Sequence, residues 1–275
     1  MLFARRTRLL TLSLVCLVSA GLCGAAWAEP PSRNDLLPTG AAVLEKSLEM
    51  TGGRAAFEQV KSRVSTVKLK MEQVGIEGTI TMQQTADGNA LMVANLPGIG
   101  ETRTGLTDGV VWESNPMTGV RVVEGAEKQQ QLRALRLNAE LQPDKYFRKI
   151  ETVGREKVGD RETFKVVLTP TDGEPETRYY DAENFRLLRV ETAVQSPMGV
   201  IRATSDMSDY KQVDGMDMPH VIVQSLQGMK IVTTMDEVKH NVEIDPSVFA
   251  LPEDVKKLLD HPKPPAPVKP APRGR

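Results

Sequence analysis

The chain has 275 residues, a formal net charge of −1, 26% charged residues and 4% aromatic ones. This composition excludes disorder along the whole chain, and the weak negative balance speaks against nucleic acid as a partner. After residue 28 no apolar run is long enough to span a bilayer as a helix.

Residues 1–28 read as an export signal. Arg5, Arg6 and Arg8 form a positive front end, an apolar stretch runs from Leu9 to about Leu22, and Ala26-Trp27-Ala28 places small residues before a cut at Glu29. Thr7 and Arg8, behind the arginine pair, favour the general export route over the twin-arginine one. Leu22 precedes Cys23 and Val15 precedes Cys16, so neither cysteine has the small neighbour that lipidation needs. Cleavage after Ala28 removes three arginines and no acid, which takes the charge from −1 to −4. It also removes both cysteines, and with them any disulfide, thiolate nucleophile or cysteine metal site. The expected location is the periplasm.

Residues 29–38 (EPPSRNDLLP) read as a linker, and residues 39–259 as one domain. Residues 260–275 hold six prolines with Lys263, Lys269, Arg273 and Arg275, and read as an extended basic tail. Within the domain, Thr39 is placed to cap a helix running to about Thr51, with Ala42, Val43 and Leu48 on one face and Gly52-Gly53 at its end. A second short helix covers about Arg54 to Val60, with Phe57 and Val60 inward.

The period then changes to two. Val67, Leu69 and Met71 alternate with Thr66, Lys68, Lys70 and Glu72, and Ile76, Ile80 and Met82 follow after Gly75. Further strands fall at about 91–93, 101–106, 110–113 and 120–123, separated by Asp87-Gly88, Pro97-Gly98, Asp108-Gly109 and Thr118-Gly119. Residues 127–141 interrupt them with a helix carrying Leu132, Leu135 and Ala139 on one face. Pro143 opens a short turn over Tyr146, Phe147 and Ile150. Strands resume at 151–158, 163–169, 176–181, 187–195, 200–210, 220–227 and 229–242. The expected fold is α+β: a curved antiparallel sheet of about eleven strands, a half-barrel with helices covering its concave face. Short helices cover a wide sheet incompletely, which leaves an apolar cavity. Its expected walls are Val67, Leu69, Met71, Ile80, Met82, Leu91, Val93, Trp112, Leu132, Leu135, Tyr146 and Phe147. Eleven of the twelve methionines follow residue 28; this flexible side chain suits varied apolar cargo and equally suits plain core filling.

Three stretches resemble a known family. Asp108-Gly109-Val110-Val111-Trp112-Glu113-Ser114-Asn115-Pro116 is similar to a hairpin and strand of the periplasmic lipoprotein carriers, with one residue's difference in spacing between Gly and Trp. Arg178 to Arg189 resembles the strand, Asp-bearing turn and strand of the same group. Ser208-Asp209-Tyr210 with Val213-Asp214-Gly215 and Pro219 resembles a hairpin of sorting-like exported proteins. The resemblance implies the fold of the outer-membrane lipoprotein-sorting family, which includes the carrier, its receptor and an envelope-stress sensor. It implies non-catalytic binding of lipid or lipoprotein acyl chains, with envelope membrane proteins as further partners.

Catalytic chemistry finds no footing in the sequence. The histidines are His220, His240 and His261, with no His-Glu-x-x-His helix and no Gly-x-Ser-x-Gly elbow. In Asp236-Glu237-x-x-His240, strand alternation turns Glu237 away from His240. The reading is therefore a monomeric non-enzyme with no metal and no cofactor. Two rivals remain open: an envelope sensor or scaffold binding a protein through the sheet edge or tail, and a hydrolase that clusters a Ser or Asp with His220 or His240.

Overall fold

Thr39 opens the first helix, α1 (Gly40–Met50), its Oγ1 accepting the Ala42 N–H at 3.2 Å. The face turned inward carries Val43, Leu44 and Leu48, while Ala42, expected on that face, is exposed. Gly52, at φ 129°, carries the chain into α2 (Gly53–Gln59), which buries Phe57. In the computed structural model, residues 37–196 and 199–261 are described. The expected signal, most of the linker and all but Asp260 and His261 of the tail lie outside them.

The strands are β1 (Ser62–Met71), β2 (Ile76–Thr85), β3 (Ala90–Leu96), β4 (Gly100–Thr107), β5 (Val110–Asn115) and β6 (Gly119–Val122). Then come α3 (Gly125–Leu135), a 3-10 turn at Ala139–Leu141 and α4 (Pro143–Tyr146). The second run is β7 (Phe147–Val158), β8 (Arg161–Pro170), β9 (Glu176–Asp181), β10 (Leu187–Ser196), β11 (Gly199–Val213), β12 (Met216–Leu226) and β13 (Met229–His240). A 3-10 turn at Pro246–Phe249 and α5 (Glu253–Asp260) follow. Every segment read as a strand overlaps one of these thirteen, while the expected sheet of about eleven strands is two short of the observed one. The helix expected over 127–141 stops at Leu135, where the Arg136 backbone turns extended, and Asn138 then takes a left-handed backbone at φ 55° ahead of the next turn.

All thirteen strands form one antiparallel sheet in the order β6-β5-β4-β3-β2-β1-β13-β12-β11-β10-β9-β8-β7, left open between β6 and β7. Two local meanders are joined by the long-range pair β1–β13, which sets Arg63 opposite His240 and Leu69 opposite Thr233. Neighbouring side chains of α3 grip both halves. Gln131 donates to Glu113 Oε1 on β5 at 2.6 Å, and Gln130 to the Ala193 carbonyl on β10 at 2.9 Å. These strands stand eight places apart in the sheet. Flat, that would be about 38 Å at the usual strand spacing, while an eleven-residue helix is about 16 Å long. The sheet therefore curls around the helix.

The face turned to α3 is the inner one. On it, Met82, Ala90, Met92, Leu106 and Val111 pack under Leu132 and Leu135. Farther along the sheet, Phe164 and Tyr180 pack under Val43 of α1. Alternation sends Leu91, Val93, Trp112, Val120 and Val122 to the outer face. There the C-terminal segment covers them with Ile244, Val248, Phe249, Leu251 and Val255. Strands β3 and β5 are thus buried on both faces. Along β1 and β2 the outer face is polar, with the ion pairs Lys68–Asp236 and Lys70–Glu77.

Candidate functional site

The inner face is not filled evenly. Between α1, α2, the 139–147 segment and strands β9–β12 lies a cavity of about 350 Å³. Leu44 and Leu48 of α1, Phe57 of α2, Tyr146 and Phe147 form its helical side, and Leu187, Met207 and Met218 its sheet side. Each is placed by local patterning: the two leucines share one helix face, and Met207 is opposite Ile222 across β11 and β12. From Met207 the inner face continues strand by strand, through Ile222 and Thr233 to Leu69.

Charged groups also reach the cavity: Arg63, Arg133, Arg178, Glu140 and Asp217. Arg178 donates Nε–H to Glu176 at 2.7 Å, and its guanidinium lies 5.4 Å from the Phe147 ring centre. Burial acts to lower the Arg178 pKa, but Tyr180 and Glu176 outweigh it and the group is held above its ordinary value. Arg133 lies 5.5 Å from the same ring, and its pKa is lowered, first by burial. Arg63 is likewise lowered by burial. Asp217 is paired with Arg186 at 2.5 Å, and Arg186 lies 5.0 Å from the ring of Tyr210. The Tyr210 hydroxyl donates to the Leu187 carbonyl at 2.5 Å. Burial raises its pKa, with Asp217 adding to the effect.

Behind Arg63 is a short polar chain. Its Nε–H donates to His240 Nε2 at 3.1 Å, and His240 Nδ1 lies 2.8 Å from Asp214 Oδ2. Arginine only donates, so Nε2 must accept and Nδ1 carries the proton toward Asp214. An Asp–His pair of this kind activates a nucleophile when the far nitrogen faces a hydroxyl. Here that nitrogen faces a guanidinium. His220 Nδ1 lies 3.1 Å from the Met218 carbonyl. Asp236 faces outward to Lys68, on the opposite side of the sheet from His240. Among the described residues no group of three His, Asp or Glu side chains is arranged to hold a metal ion.

Of the residues expected to wall a cavity, Tyr146 and Phe147 line this one. Val67, Leu69, Met71 and Ile80 lie on the same inner face, beyond Arg63. Met82, Leu132 and Leu135 pack together beneath α3. Leu91, Val93 and Trp112 lie on the outer face, and Trp112 is 2% exposed. The arginines were not among the expected site residues. A lone charged residue in a strand or helix has the sequence appearance of a solvated one, and only the curl of the sheet brings these three together.

No protein-family model and no curated protein matches the chain. Solved structures do. A domain assigned to outer membrane lipoprotein sorting, from Vibrio parahaemolyticus, is 16% identical, with a TM-score of 0.54 over 76% of this chain and 97% of that one. A LolA superfamily protein from Nitrosomonas europaea is 16% identical, with a TM-score of 0.53 over 78% and 99%. A DUF1329 family protein from Desulfovibrio piger is 13% identical, with a TM-score of 0.54 over 76% and 96%. At these identities the fold is what is shared: this chain has the fold of the LolA superfamily and of outer membrane lipoprotein-sorting proteins.

Proposed function

We propose that this chain is an exported, monomeric, non-catalytic protein that binds and carries a hydrophobic molecule, a lipid or the acyl chains of a lipoprotein. The single observation that carries the reading is the cavity of about 350 Å³ between the helices and the inner face, with Leu44, Leu48, Phe57, Phe147 and Met207 in its wall. Apolar space of this size, bounded by side chains able to move, suits a hydrocarbon chain, and each methylene taken from water contributes about 0.8 kcal/mol. In this reading α1, α2 and the 139–147 segment lid the concave face of a half-barrel. Val67, Leu69, Met71 and Ile80 extend its floor for a longer chain. Residues 1–28 direct export to the periplasm, with cleavage after Ala28, and residues 39–259 act as one domain ahead of a basic tail.

The test is titration of the purified, delipidated protein with a fluorescent fatty acid. Saturable binding of one molecule per chain, displaced by unlabelled fatty acid, is expected. Absence of saturable binding would overturn the reading.

A further inference from the structure

The charges in the cavity wall do not balance. Arg178 is neutralised by Glu176, whose side chain is 12% exposed, and Asp217 is neutralised by Arg186. That leaves Arg63 and Arg133 against Glu140, which is exposed to solvent. Among the described residues neither arginine has a carboxylate within ion-pairing distance. Arg63 is bonded to the imidazole of His240, and Arg133 to the Gln129 carbonyl in its own helix. Glu140 acts on Arg63 and Glu176 on Arg133 only from beyond contact, so two partly buried guanidiniums keep donors that no carboxylate meets, and an anion arriving between apolar walls recovers that cost. Guanidinium presents several N–H donors in one plane, the geometry that suits a carboxylate or phosphate.

Size narrows the class further. At about 350 Å³ the cavity is near the lower end of ligand sites. It has room for one hydrocarbon chain and not for the two chains of a diacyl lipid together. We infer that the preferred occupant is a single-chain amphiphile with an anionic head, the head held by Arg63 and Arg133 and the chain laid along Leu48, Phe57, Phe147 and Met207. This rests on the carriage reading and names the class of molecule carried.

The experiment compares three probes of equal chain length in displacing the bound fluorophore: laurate, dodecyl phosphate and dodecanol. At least one anionic probe is expected to bind about tenfold or more tightly than dodecanol, and which one does so identifies the head group. Arg133→Gln is expected to abolish the difference in affinity between that anionic probe and dodecanol. Dodecanol binding as tightly as both anions would overturn the inference and leave the carriage reading standing. Failure of all three probes to bind would overturn both. The comparison of probes on the unaltered protein decides the matter even if the variant does not fold.

Discussion

Gly105 lies directly beneath the indole of Trp112, its partner across β4 and β5, so closely that a Cβ at position 105 would overlap the ring. The indole is in turn held from the other side by Phe249 and Val255. No other side chain fits between strand and ring. Gly105→Ala is therefore expected to destabilise the fold by about 1–3 kcal/mol, the usual cost of overpacking a filled core. Equilibrium denaturation of the variant beside the parent protein measures it, and equal stability would show that the indole shifts freely.

The segment over Trp112 belongs to the fold and not to the cavity. Phe249 is 5% exposed and its carbonyl accepts the Thr107 hydroxyl at 2.6 Å. Phe249→Ala is expected to cost about 3 kcal/mol or more. At temperatures where the variant remains folded, fatty-acid affinity should be unchanged, since the two sites lie on opposite faces of the sheet. A parallel loss of affinity in the same titration would show the faces to be coupled.

Asp181 supplies a pH-dependent part of the stability. It is 2% exposed, pairs with Arg161 at 2.7 and 3.0 Å, and accepts the backbone N–H groups of Glu183 and Asn184. Burial pushes its carboxyl pKa up, but Arg161 and the two N–H groups outweigh it and hold the group below the usual carboxylate range. A depressed folded-state pKa stabilises above the unfolded value and is lost as pH falls through the folded one. Asp181→Asn should accordingly cost about 1–3 kcal/mol near neutral pH. The gap should close in acid, once the parent carboxyl is protonated. Denaturation midpoints of both proteins across pH test this, and a pH-independent gap would contradict it.

Met207 lines the cavity from the sheet side and is only partly buried. Met207→Trp should fill the space without straining the strand. The expected result is a loss of fatty-acid affinity of about tenfold or more, with the denaturation midpoint nearly unchanged. Unchanged affinity would place the ligand elsewhere.

The hairpins were legible because their determinants are local: Asp108-Gly109, Asp214-Gly215 and Gly228 each take positive φ where a strand turns back. The pairing of β1 with β13 was not, since nothing near Arg63 announces His240 as its neighbour. The outer-face cover left a trace that reading by alternation passes over. Leu91 beside Met92, and Val111 beside Trp112, are adjacent apolar residues, and a strand apolar on both faces must be covered on both. Ile244, Val248, Phe249, Leu251 and Val255 were available to do it. At the cavity, Tyr146 and Phe147 follow the short turn that Pro143 opens, a local signal, and both stand in its wall. Arg63, Arg133 and Arg178 come from β1, α3 and β9, and they share a wall only after the sheet has curled.

The most direct measurement is native mass spectrometry of the protein purified from its native cells, set beside the mass of the same sample after organic extraction. Carriage of a hydrophobic molecule requires an added mass of one lipid or acylated species per chain, lost on extraction, and the inference about its head group further requires that the extract hold a single-chain anionic species. A mass matching the bare polypeptide, together with no uptake of added fatty acid or phospholipid, would contradict it.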